Sequence, residues 1–123
     1  MILVDTSVWI DHLRRAIKPL AEALEAEDVL IHPFIVGELA CGELKRRYEV
    51  LNLLTTLPSS LVATDDEVLQ FIENHTLMGK GIGYIDAHLL ASATLTEAGK
   101  LWTRDKRLAA IAVQLRIGFE ENP

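Results

Sequence analysis

Three short apolar or nearly apolar runs set the limits on this chain: Met1-Ile-Leu-Val4, Val29-Leu-Ile31 and Leu101-Trp-Thr103, with helical spacing in the residues that follow each. A strand with one wet face alternates apolar and polar residues, whereas a run that is apolar throughout must be covered on both faces. A chain that repeats such a strand and then a helix is steered toward a mostly parallel sheet between two helical layers, an α/β/α architecture. Ligands of such sheets sit beyond the carboxyl ends of the strands, so the residues after each run deserve the closest reading.

The remaining segments fill out that plan. Asp5-Thr-Ser7 offers capping side chains for a helix whose Val8, Trp9, Ile10 and Leu13 share a face. Pro19 suits the first turn of a second helix, through Glu27. Pro33 closes the second strand, and residues 34 to about 54 read as helical with Gly42 as a joint. After the turn Pro58-Ser-Ser60, Leu61-Val-Ala63 reads as a further short strand, and Thr64-Asp-Asp-Glu67 as a capping box opening the next helix. Gly79-Lys-Gly-Ile-Gly83 is the most flexible stretch, followed by a long apolar helix from about Tyr84 to Ala98. A helix from about Lys106 to Leu115 and an edge strand at Ile117 to Phe119 complete the chain. The expectation is one domain over residues 1–123, with four to five short strands in its central sheet.

Four acids sit where this pattern would not ask for one. Asp5 is the only charged residue among the first ten and lies at a strand end, where helix cap and ligand are both credible roles. Glu38 is the one charged residue in Phe34-Ile-Val-Gly-Glu-Leu-Ala-Cys41, so burial beside Lys45, Arg46 or a metal ion is expected. Asp86 precedes Leu89, Leu90 and Ala93 at helical spacing and therefore stands on a core stripe. Asp105 repeats the position of Asp5 behind another strand, again with capping as the plain alternative. Taken together they are the parts of one anionic pocket, and hard oxygen ligands without cysteine suit Mg²⁺ or Mn²⁺ better than zinc.

Charge and cysteine content narrow the field. Eighteen acidic against twelve basic residues, net −6, argue against a module that holds nucleic acid by bulk charge. They do not argue against a site that gathers cations, which locally reverse the sign a phosphate meets. Cys41 alone cannot form an intrachain disulfide, and its apolar neighbours predict a buried thiol. Neither a secretory leader nor an apolar run of the ~20 residues needed to span a membrane is visible, so cytoplasmic residence is expected. The four histidines lack metal-ligand spacing, and Trp9 and Trp102 read as core or partner-facing.

ILVDTSVWI at residues 2–10, GELACG at 37–42, GIGYIDAHLLASA at 81–93 and LWTRDKRL at 101–108 are similar, in this order, to the motifs of the PIN-domain nucleases. The chain resembles in particular the VapC-type toxins of prokaryotic toxin–antitoxin modules. The resemblance implies a PIN-like fold, Mg²⁺- or Mn²⁺-dependent hydrolysis of RNA, and Asp5, Glu38, Asp86 and Asp105 as metal-binding catalytic acids. Thr6 or Ser7, and Thr103, match hydroxyls that support those acids. Some members carry one more aspartate after the position of Asp105, where this chain has Lys106 and Arg107, so a second tightly held ion is not implied. Lys45, Arg46, Arg47, Lys80, Arg104, Lys106 and Arg107 are candidates for the RNA backbone. The implied partners are a VapB-type antitoxin and a second copy of the chain. Two other readings compete: a catalytically silent scaffold of the same fold, and an aspartate-based phosphotransfer domain, which would want a second aspartate where Ser7 stands.

Overall fold

The computed structural model describes residues 1–121. Its sheet contains β1 (Ile2–Val4), β2 (Val29–Leu30) and β3 (Lys100–Trp102), all parallel, in the order β2-β1-β3. Leu3 pairs with both Leu30 and Leu101, so β1 is central. Adjacent residues of a strand point to opposite faces, yet Leu3 and Val4 are both fully buried, which requires helices above and below. At each edge the sheet continues as a single parallel bridge, Ile31 with Ser59 and Leu101 with Gly118. Five short strand positions are thus present, but the outer two are one pair wide. The expected edge strand at 117–119 is this bridge, tied by Leu101 N–H to Ile117 O (2.7 Å) and Phe119 N–H to Leu101 O (2.9 Å).

The strand expected at Leu61–Ala63 is not formed. Its amides are satisfied instead by side chains of a helix: Leu61 N–H donates to Thr96 Oγ1 and Ala63 N–H to Ser92 Oγ, each at 3.1 Å. Leu61 and Val62 are accordingly left exposed.

Between the strands run α1 (Thr6–Arg14), α2 (Lys18–Glu25), α3 (Pro33–Ala40), α4 (Arg47–Thr56), α5 (Asp65–His75) and α6 (Tyr84–Leu95), with α7 (Lys106–Gln114) last. The segment 34–54 is therefore two helices, parted just beyond Gly42 by Arg46, which takes a left-handed backbone at φ 55°. Cys41 caps α3 and is exposed, not buried. The Thr64 capping box forms as expected, Thr64 Oγ1 accepting from Glu67 N–H and Glu67 Oε1 from Thr64 N–H. Helix α6 is buried at every residue from Ala87 to Ala93, and the two polar residues in that stretch, His88 and Ser92, are hydrogen-bonded. Trp9 and Trp102 belong to the core.

His32 begins α3 from inside that core. Its Nδ1 accepts the Phe34 amide at 3.0 Å, so the ring proton resides on Nε2, which donates to Ser92 Oγ at 3.1 Å. Burial, and next the neighbouring His88, push the His32 pKa down to about 4, so the ring is neutral near pH 7. Among the described residues no helix is long and apolar enough to cross a membrane.

Candidate active site

In the order β2-β1-β3 the chain leaves β1 toward one side and reaches β3 on the other, so the crevice between the carboxyl ends of β1 and β3 is the switch point where α/β sheets bind ligands. Asp5 stands there. Its N–H continues the ladder by donating to Trp102 O at 2.8 Å, and its side chain is only 7% exposed. The side chain makes no capping bond to α1. Asp5 Oδ2 accepts instead from Ser7 Oγ and Thr103 Oγ1, both at 2.7 Å. Thr103 Oγ1 also accepts the Asp105 amide, and Ser7 Oγ the Arg104 amide, at 3.1 Å each. The two strand ends are thereby laced together.

The other acids approach from separate helices. Asp86, in the first turn of α6, accepts the Gly83 N–H on Oδ2 at 3.2 Å. Its pKa is raised, first by partial burial and further by the negative charges of Asp5 and Asp105, both of which lie near enough to act on it. Asp105 does cap its helix, Oδ1 accepting Leu108 N–H at 3.0 Å. Glu38 departs from expectation: it is exposed, and its partner is neither Lys45 nor Arg46 but Thr6, whose Oγ1 donates to Oε1 at 2.9 Å. Thr6 and Ser7 are thus not alternatives, since each supports a different acid.

A common pattern emerges. Each of the four acids uses one oxygen to hold the protein, and the other has no protein hydrogen-bond partner among the described residues. None of the four forms an ion pair among the described residues. Nor do three acids or imidazoles there already stand as a ready-made ligand set for a single ion. That arrangement fits Mg²⁺, which dehydrates reluctantly, keeps several waters and is usually held by one or two carboxylates plus phosphate oxygens.

Two sets of contacts have no counterpart in the sequence pattern. Asp65 Oδ1 accepts from Tyr84 Oη at 2.7 Å and lies 3.3 Å from His88 Nε2, pinning the start of α5 to the start of α6 next to Asp86. The only signal was an acidic cap, which reads the same without the network. Arg104, expected on RNA, is engaged elsewhere: it donates to Asp11 Oδ2 at 3.0 Å and through two nitrogens to Glu121 at 2.8 and 2.9 Å. Trp102 Nε1 also donates to Glu121, at 2.8 Å. The Arg104 guanidinium holds the Glu121 carboxyl below the ordinary carboxylate range. A carboxyl depressed on folding adds stability above its unfolded pKa and loses it as pH falls through the lowered value. Glu121→Gln is therefore expected to cost no more than about 1 kcal/mol at pH 7, because these charges are a third exposed. The cost vanishes in strong acid, which thermal melts from pH 7 to pH 3 would read.

Between α1 and the α3–α4 connection runs a groove of about 640 Å³ lined by Ile10, Leu13, Leu39 and Leu44 together with Arg14, Glu38 and Lys45.

The chain belongs to the PIN-domain family, whose model matches residues 2–114. Over 121 residues it is 46% identical to the proteins named Ribonuclease VapC32 in two strains of Mycobacterium tuberculosis, CDC 1551 / Oshkosh and ATCC 25618 / H37Rv, with 98% of this chain and 98% of each relative covered.

Proposed function

We propose that this protein is a divalent-metal-dependent endoribonuclease, the toxin of a toxin–antitoxin pair, with Asp5, Glu38, Asp86 and Asp105 as its metal-binding catalytic acids. The observation that carries the reading is that four acids drawn to one sheet end are each held by one oxygen and leave the second without a protein partner. The relatives' name, Ribonuclease VapC32, supplies the substrate class. A bound Mg²⁺ or Mn²⁺ would polarise a phosphate and lower the pKa of a water beside it. The protein's part is positioning. Ser7 and Thr103 fix Asp5, Thr6 fixes Glu38, the Gly83 amide fixes Asp86 and the Leu108 amide fixes Asp105, so each carboxylate is oriented by its own hydrogen bonds.

RNA is contacted in this reading by Lys45, Arg46, Arg47, Lys80, Lys106 and Arg107, while Arg104 serves the fold. A VapB-type antitoxin and a second copy of the chain are the protein partners, and the cytoplasm, where RNA is available, is the compartment. The groove that has Glu38 in its lining supports an antitoxin seated beside the site.

The test is cleavage of a single-stranded RNA by the purified chain with Mg²⁺. EDTA should stop it, Mn²⁺ restore it, and Asp5→Asn abolish it with an unchanged circular dichroism spectrum. Cleavage that survives EDTA or Asp5→Asn would refute the assignment.

A further inference from the structure

Arg107 stands in the first turn of α7, two residues beyond Asp105, and its side chain lies flat on Gly81. A Cβ at Gly81 would come within 2.7 Å of Arg107 Nη1 and 2.8 Å of Cδ, so a side chain at residue 81 would displace the guanidinium. Gly81 also holds φ +81°, a left-handed backbone that glycine adopts without strain. Two residues on, the Gly83 amide holds Asp86. The guanidinium thus lies between the segment that carries Asp105 and the segment that carries Asp86.

Despite these acidic neighbours, Arg107 forms no ion pair and no hydrogen bond among the described residues. Of the other arginines named for RNA, Arg46 is likewise without a partner among the described residues but stands at the start of α4, away from this seat, whereas Arg104 and Arg47 are engaged. Arg104 is held by Asp11 and Glu121, and Arg47 donates to Gly42 O at 3.2 Å. A guanidinium has five N–H donors in a planar fork that matches two phosphate oxygens. Seated on a loop backbone, it surrenders less rotamer freedom on binding than a lysine on a free stem. The site needs such a cation, because neighbouring carboxylates repel a phosphodiester except where metal ions offset them.

Resting on the nuclease reading above, we propose that Arg107, cradled on Gly81, is the phosphate-binding residue of this site, taking the non-bridging oxygens of an RNA backbone phosphate at the rim between Asp86 and Asp105. It touches substrate, whereas Arg104 does not.

The experiment measures binding of a fluorescently labelled single-stranded RNA to the cleavage-deficient Asp86→Asn protein in Mg²⁺ across a KCl series. Adding Arg107→Gln should raise Kd about tenfold and reduce the slope of log Kd against log salt by about 0.7, the value for one single-strand phosphate contact. Arg107→Lys should keep the slope and lose part of the affinity, since a point charge lacks the fork. Arg104→Gln should leave Kd within about twofold. The proposal is overturned if Arg107→Gln matches its parent in Kd and slope, or if the parent binds no RNA. In the otherwise unaltered enzyme, Arg107→Gln should raise KM with metal dependence retained. Failure of the nuclease reading looks different: the unaltered chain would then show no Mg²⁺-dependent cleavage at all, whereas failure of the Arg107 assignment alone leaves cleavage intact with an unchanged KM.

Discussion

Asp86→Asn is expected to abolish RNA cleavage, by roughly 10³-fold or more, and at the same time to make the metal-free protein more stable. Asp86 sits on the apolar stripe of α6 and within the field of Asp5 and Asp105, so its pKa is raised by burial first and by like charge second. An acid raised on folding costs stability when ionised. The cost is complete above the raised pKa and disappears below the ordinary carboxyl value, where both folded and unfolded chains are protonated. Asparagine removes the charge and can still accept the Gly83 amide. The gain in EDTA at pH 7 should be about 1 kcal/mol, roughly 3–5 °C in Tm for a chain of this length. Millimolar Mn²⁺ should reverse the ranking by stabilising the original protein more than the variant. A variant that melts below the original in EDTA would show that the carboxylates are not crowded.

The second large effect is acid lability centred on His32. Folding lowers its pKa from 6.5 to about 4, so the folded state binds fewer protons than the unfolded chain between those values. Stability must then decline as pH drops through that window, by about 2–3 kcal/mol between pH 7 and 4.5. Protonation would also take the acceptor from the Phe34 amide and begin to undo the first turn of α3. His32→Asn keeps a capping acceptor and cannot titrate. It should lower stability at pH 7, through lost packing, but flatten the pH dependence. Urea titrations at pH 7 and 4.5 on both proteins decide it, and parallel pH slopes would place the titration elsewhere.

The central sheet was legible because its members are apolar at nearly every position, a demand that few other structures make. The segment Leu61–Ala63 shows where that logic stops. It is equally apolar and equally short, yet Ser92 and Thr96 of α6 satisfy its amides, and no local pattern reveals a side chain standing in for a strand. Among the acids, Asp86 was readable from its place on a core stripe. Asp5 and Asp105 looked alike in sequence; only the hydrogen bonds separate them, since Asp105 caps a helix and Asp5 does not. Glu38 misled because its neighbours are apolar, although Gly37 and Glu38 together give α3 a watery strip. The partners of Arg104 lie 93 and 17 residues away, a separation at which spacing carries no information.

Of the two hydroxyls that fix Asp5, one belongs to its near neighbour Ser7 and the other to Thr103, 98 residues further along the chain. Half of what aims the Asp5 carboxylate is therefore set only when β3 docks beside β1, which closes the longest loop between paired strands of the sheet.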